Sequence, residues 1–251
     1  ASRFIMMNMD GKTVSAPPVR ELEPVDRWIL SKLNTLVKDA TENMESFELG
    51  IAVQKVYDFI WDEFCDWYIE MVKPRLYDTD DAASQNAALW TLKTVLIDAL
   101  KLLHPYMPFI TEEIYCTIRS MEEDACGEAI SSEEESIMIS AWPKHREDRA
   151  FAKEEKDIEI IKEAVRGIRN VRNEMNVAPS RKAAVYVVSE DQGILHTFTE
   201  GKLFFASLAY ASDVTIQKDK SGIAQDAVSV VIPGATLYIP FAELVDIAQE
   251  V

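Results

Sequence analysis

Between Lys162 and Lys182 six bases (Lys162, Arg166, Arg169, Arg172, Arg181 and Lys182) stand against two acids, Glu163 and Glu174. On a helix, Arg166, Arg169, Asn170 and Asn173 project away from the apolar residues of the same stretch. Guanidinium groups on one face give planar, charge-assisted hydrogen bonds to phosphate oxygens, so the chemistry on offer is anion binding. The same face reads equally well as solvated surface with one or two ion pairs. A second candidate group lies near the N-terminus, where Arg3, Asn8 and Lys12 sit among apolar residues. Trp90 interrupts a leucine seam; exposed, it is free to stack on a base, although packing in a bundle is the commoner fate of such a tryptophan.

Residues able to break or make bonds are nearly absent. No two glycines lie within five residues of each other, which removes both the P-loop and the dinucleotide loop. Glu-x-x-His does not occur, so the di-iron carboxylate pattern of helix bundles is missing. His104 precedes a proline at a helix end and reads as a capping or packing residue before a ligand. His145 and His196 have no Cys or carboxylate cluster at ligand spacing. Asp62, Glu63 and Asp66 share one helix, where a solvated face is the simpler account than an acid/base pair. The sequence therefore holds no catalytic, metal or cofactor site, and binding is the function to look for.

The totals constrain what can be bound. With 26 basic and 43 acidic side chains the chain carries −17, which argues against non-specific nucleic-acid binding. The charge is uneven, however. Glu122 to Ser136 holds seven acids and no base, reads as a mobile surface loop, and leaves room for a local basic face elsewhere. Cys65, Cys116 and Cys126 are three widely spaced cysteines, as expected of a reducing, cytoplasmic compartment. No apolar run reaches spanning length, and the N-terminus lacks a signal-peptide layout. It opens in mid-pattern without an initiator methionine, as an interior stretch of a longer chain would.

The elements that must position these residues are mostly helices. Ala1 to Met9 reads as the last turns of a helix ended by Asp10-Gly11, and Pro17-Pro18 as an extended linker. A helix opens near Pro24 with the stripe Ile29, Leu33, Leu36, Val37 and Ala40. The next rod carries Val53, Val56, Ile60, Phe64, Trp67 and Met71 and is expected to stop at Pro74. Asp80 or Asp81 caps a helix whose seam is Leu89, Leu92, Leu96, Ala99 and Leu103. Beyond Pro105 and Pro108 a further helix carries Ile110, Ile114, Ile118 and Met121. Ile137 to Trp142 reads as a short strand or extended cover. A last long helix, about Phe151 to Asn176, has Ile158, Ile161, Val165, Ile168 and Met175 on one side. β-branched runs follow at Ala183–Ser189, Val214–Gln217, Ala227–Ile232 and Thr236–Pro240, with a helix from Phe198 to Tyr210 and another opening at Glu243. The expected architecture is mainly α: an antiparallel helix bundle over 1–145, a long basic helix over 146–179 joining the two parts, and a small α/β subdomain over 180–251.

Several blocks together resemble the valyl-tRNA synthetase family. They are Ala1-Ser-Arg-Phe4, Asp26-Arg-Trp-Ile-Leu30, Glu63-Phe-Cys-Asp-Trp-Tyr-Ile-Glu70 with Lys73-Pro74, Leu103-His-Pro-Tyr-Met-Pro-Phe-Ile-Thr-Glu-Glu-Ile114, Trp142-Pro143, and Ile168-Arg-Asn-Val-Arg-Asn-Glu-Met-Asn176. They run in order along essentially the whole chain, and the Phe-Cys-Asp-Trp-Tyr block looks valyl rather than isoleucyl or leucyl.

The resemblance implies the anticodon-binding helical domain of a class I aminoacyl-tRNA synthetase, an enzyme that joins valine to tRNA(Val) with ATP. The family's His-Ile-Gly-His-like and Lys-Met-Ser-Lys-Ser-like signatures, its editing insertion and its C-terminal coiled-coil arm are not found in these residues. Valine and ATP would be handled elsewhere in a full-length enzyme. By the same resemblance Arg3 lies against the anticodon, Lys12 takes the place of a basic loop residue, and the start of the helix that carries Leu89 and Trp90 lies near the anticodon. With Asn8 from the N-terminal group and Arg166, Arg169 and Asn173 from the basic helix, these are the expected tRNA-binding residues. The expected partner is the anticodon loop of tRNA(Val), and the expected state is a monomer away from any membrane. The competing expectation is a helical protein–protein interaction scaffold whose apolar stripes meet partner helices.

Overall fold

The computed structural model describes residues 1–78, 80–126 and 134–244. The chain forms two compact units, Ala1–Ala152 and Lys153–Val251.

In the first unit α1 (Ser2–Met9) is followed by an extended stretch and a 3-10 turn at Val19–Glu21, then α2 (Pro24–Glu45). Proline fits the first helical position, where an amide donor would have no partner, and Glu23 with Asp26 closes a capping box around it. A continuous rod comes next: α3 (Leu49–Asp58), a π-helical segment (Phe59–Ile69) and α4 (Glu70–Tyr77). α5 (Ala82–Leu103) starts on Asp81, whose carboxylate accepts from the Ser84 amide at 2.9 Å, and α6 (Pro108–Cys126) follows. Side-chain bonds give the directions. Lys55 pairs with Asp39 at 3.0 Å and Tyr68 donates to Asp26 at 2.7 Å, so the rod runs antiparallel to α2. Lys93 pairs with Glu122, and His104 Nδ1 meets Thr111 Oγ1 at 2.7 Å, so α5 and α6 are antiparallel too. His104 thus ties the end of α5 to the first turn of α6 through a side-chain bond.

The core is made of the expected stripes: Ile29, Leu33, Leu36, Val37 and Ala40 of α2, and Leu89, Leu92, Leu96 and Ala99 of α5, are all buried. The segment after Ser140 lies along α2. Asn34 Nδ2 donates to the Arg146 carbonyl at 2.8 Å while the Arg146 amide donates to Asn34 Oδ1 at 2.7 Å, and Trp142 Nε1 donates to Thr41 Oγ1 at 2.9 Å.

Several expectations need correcting. The rod does not stop at Pro74, which lies inside α4. A proline costs one helical bond, and here that cost is met within a helix pinned downstream by Arg75 and buried by Leu76. Phe59, not Ile60, is buried, and the next buried position is Phe64. That step of five is the spacing of i→i+5 bonding, which a search for steps of three and four misreads by one residue. On α6 the buried line is Thr111, Tyr115 and Ile118, with Ile110 exposed and Ile114 half-buried. Ile137–Ile139 is a 3-10 turn rather than a strand. Residues 127–133 of the acidic tract lie outside the described residues, as do the residues after Leu244.

The second unit opens with α7 (Ala152–Glu174), whose Ile158, Ile161, Ala164, Val165 and Ile168 are buried. The basic helix belongs to the same compact unit as the α/β elements. β1 (Ala183–Val188) leads through α8 (Gln192–Glu200) and α9 (Lys202–Leu208) to β2 (Ala211–Gln217), and β3 (Val228–Ile232) turns into β4 (Ala235–Ile239) before α10 (Phe241–Leu244). The helix expected over Phe198–Tyr210 starts earlier and is broken at Gly201. The sheet order is β2-β1-β4-β3, with β1 and β2 parallel and the other pairs antiparallel. Parallel neighbours need a crossover, which α8 and α9 supply. Pro233-Gly234 makes the β3–β4 turn, with Gly234 at φ 78°, the left-handed position that a type II turn requires.

Candidate nucleic-acid interface

In the first unit the expected binding residues gather on α1 and the turn after it. Ile5 and Met9 are buried and seat α1 against α5 and α6. Phe4 is half-buried under the Lys73 ammonium, 5.8 Å from its ring centroid. The helix is anchored on that side, which leaves Arg3 exposed on the other. No ion pair to Arg3 is found among the described residues, so its guanidinium is free to meet a ligand oxygen. Asn8 is half-buried and spends its amide on the Phe4 carbonyl at 2.8 Å. Lys12 is half-exposed on the turn closed by its own amide and the Met9 carbonyl at 2.9 Å. Ser15 and Asn86 exchange hydrogen bonds of 3.1 and 2.9 Å, which ties the chain after Lys12 to the first turns of α5.

α5 supplies the two remaining candidates, and the structure separates them. Leu89 is 2% exposed and belongs to the core, so its side chain is closed to RNA. The sequence places Leu89 in the seam, and its expected contact role came from the family resemblance alone. Trp90 is half-buried, with the Arg149 guanidinium 6.0 Å from its ring centroid. Burial lowers the Arg149 pKa, and repulsion from Arg146 adds to that. One face of the indole is therefore already covered by a cation, and stacking on a base is left to what remains exposed.

In the second unit α7 presents Arg166 and Asn173 to solvent and Arg169 at half exposure. Arg166 pairs with Glu159 at 3.0 Å, and Lys162, almost fully buried, pairs with the same carboxylate at 3.2 Å. Burial alone would raise the Glu159 pKa, but Lys162 and Arg166 outweigh it and hold the carboxyl below its usual value. Arg169 donates through Nε to the Leu208 carbonyl at 2.7 Å. Both arginines therefore already have protein partners. A cavity of about 190 Å³ opens beside them, lined by Arg169, Arg172, Asn173, Val177, Pro179 and Tyr210. Arg172 and Tyr210 were not among the expected site residues. The signal for Arg172 was present in the count of bases, but the helical wheel assigns it to the apolar side.

Among the described residues no group of three or more His, Cys, Asp or Glu could hold a metal ion, and no helix is long and apolar enough to cross a membrane.

Residues 26–187 match the family model described as the anticodon-binding domain of tRNA ligase. That range covers α2 through β1 and includes Trp90, Arg166, Arg169 and Asn173, while Arg3, Asn8 and Lys12 precede it. The whole chain is similar to the valine–tRNA ligase of Clostridium perfringens (46% identity over 251 residues), to that of Clostridium acetobutylicum (45% over 252 residues) and to that of Bacillus anthracis (35% over 251 residues). In each case the match takes in 100% of this chain and 27% of the relative's length.

Proposed function

Because the chain belongs to the anticodon-binding domain family of tRNA ligases, we propose that it reads the anticodon loop of tRNA(Val) as part of a valine–tRNA ligase. One observation carries the choice of amino acid: the relatives matched along the full 251 residues are valine–tRNA ligases. The remaining length of such an enzyme would bind valine and ATP and perform the ligation, and the whole would work as a cytoplasmic monomer. The geometry that supports loop reading is the exposed Arg3 on an α1 seated against α5. Unpaired loop bases are read by edge hydrogen bonds and stacking while cations hold the backbone, so Arg3 acts as the base-edge donor and Lys12 as a phosphate contact. Asn8 orients the α1 end through its bond to Phe4, and the exposed part of Trp90 offers an apolar edge. Arg166, Arg169 and Asn173 supply sequence-independent backbone contacts from the second unit.

The scaffold alternative needs apolar stripes available for partner helices, and the stripes of α2 and of Leu89, Leu92, Leu96 and Ala99 on α5 are buried inside the bundle. Binding of an anticodon stem-loop decides between the two. A loop reader prefers the valine anticodon over altered loops and weakens as salt rises. Equal binding to all loops, or none, removes the proposal.

A further inference from the structure

One buried cation in the second unit has no carboxylate partner among the described residues. Arg172 is 4% exposed. Its Nη2 donates to the carbonyls of Ala178 at 3.0 Å and Arg181 at 2.6 Å, and its guanidinium lies 5.2 Å from the Tyr210 ring centroid. Its Nε and Nη1 make no hydrogen bond among the described residues. Two carbonyls and an aromatic face disperse a full charge without cancelling it, and buried charges in proteins are normally paired. Burial pushes the Arg172 pKa below the ordinary guanidinium range, with Tyr210 working against it.

The open side of this arrangement is the cavity of about 190 Å³. Its polar lining is Arg169, Arg172, Asn173 and Tyr210, and no carboxylate contributes to it. Arg169 brings a second guanidinium, and Asn173 an exposed amide. The volume equals about six waters of liquid, enough for a tetrahedral oxyanion with part of its hydration shell. Tyr210, which lines the cavity, holds left-handed backbone at φ 55° without being glycine, a conformation that the surrounding structure has to enforce.

We propose that this cavity is a phosphate site, in which Arg172 within and Arg169 at the mouth share the oxyanion's charge and Asn173 donates a further hydrogen bond. Planar guanidiniums suit phosphate oxygens because two parallel donors meet two acceptors. The phosphate comes either from an RNA backbone, which rests on the function proposed above, or from free inorganic phosphate.

The test is a titration of the 251-residue chain with inorganic phosphate, with chloride at matched ionic strength as control, following the NMR signals of the Tyr210 ring. Phosphate should give a saturable shift that chloride does not. Arg172→Gln also strips two carbonyl bonds from the chain after α7 and can unfold the unit, so Arg169→Gln and Asn173→Ala carry the decision. Arg169→Gln should weaken phosphate binding at least about tenfold, the worth of one charged hydrogen bond, and Asn173→Ala should weaken it less. No saturable shift, or a shift unchanged in both variants, overturns the proposal. A tRNA that displaces the bound phosphate identifies the backbone as occupant, and a tRNA that binds without displacing it identifies free phosphate. The titration itself needs no RNA. A chain that takes up phosphate but ignores anticodon sequence keeps this site and loses the loop-reading function; the converse result does the opposite.

Discussion

Arg75 grips both carboxylate oxygens of Asp26, Nη1 to Oδ1 at 2.8 Å and Nη2 to Oδ2 at 2.9 Å, although the two residues lie 49 positions apart. Asp26 is 0% exposed and also accepts from the Tyr68 hydroxyl at 2.7 Å and from the Glu23 amide at 3.0 Å. Arg75 continues to Ser84 Oγ at 2.8 Å and to the Ser84 carbonyl at 3.0 Å. One ion pair thus joins the start of α2, the end of the rod and the start of α5. The bidentate geometry and the filled lone pairs let it offset the cost of burying both charges.

Removing Asp26 leaves the largely buried Arg75 with only the half-exposed Glu23 carboxylate, 3.0 Å from its Nε, as counter-charge. Asp26→Ala should lower the stability of the first unit by about 3–5 kcal/mol, read as a shift in urea midpoint. An unchanged midpoint would show that the carboxylate is not buried with its guanidinium.

Tyr68 makes this network sensitive to alkali. Burial, and after it the Asp26 charge, hold the Tyr68 hydroxyl well above the ordinary tyrosine value. The folded state therefore binds that proton more tightly than the unfolded state, in which it leaves near pH ~10. The contribution is fully present below that pH and is lost as pH rises toward the folded value. Urea midpoints of the wild type should fall between about pH 9 and about pH 11, and Tyr68→Phe should start lower but fall less steeply. Parallel pH profiles for the two proteins would exclude Tyr68 as the titrating group.

The π-helical register predicts opposite outcomes for two tryptophans on one rod. Trp67 is 6% exposed, whereas Trp61 is 57% exposed and stacks on Tyr57 with ring centroids 6.4 Å apart. Trp67→Ala should cost about 3–5 kcal/mol, and Trp61→Ala should stay within about 0.5 kcal/mol of wild type. Thermal unfolding of the two variants checks the register directly.

Arg3→Ala should cost about 1–3 kcal/mol in binding the valine anticodon loop and relax discrimination at one loop position, as loss of a base-edge contact does. Arg166→Ala should weaken all loops alike by a smaller amount, because Glu159 already compensates part of its charge. Titrations over a series of stem-loops and salt concentrations separate the two patterns. Unaltered anticodon preference in Arg3→Ala would remove Arg3 from the reading face.

The residues explain which features were legible beforehand. The stripe of α2 was plain because its buried positions recur with the ordinary helical period and its entrance carries proline and a capping acid. The strands were plain because β-branched runs end at Gly222 and Pro233-Gly234. At Phe59 the assumed period failed, since a wider turn moves the buried face by one residue and nothing local announces it. Pro74 misled because its penalty is local whereas the bonds holding Arg75 come from positions 26 and 84. The α1 candidates were legible as an exposed cation, but Leu89 was not separable from Trp90 until their burial was known. The Arg172 cavity depends on Tyr210, 38 residues further on, a pairing that no periodicity reports.

The wide run from Phe59 to Ile69 also gives the rod slack. A π-helix holds more residues per turn than an α-helix, so a residue deleted there is absorbed by tightening toward the ordinary pitch, and Arg75 still arrives opposite Asp26. A residue deleted from the middle of α2 has no such reserve. It swings everything downstream by about 100° and turns the core stripe toward water. Length changes in this bundle should therefore be tolerated between Phe59 and Ile69 and punished in its straight partner.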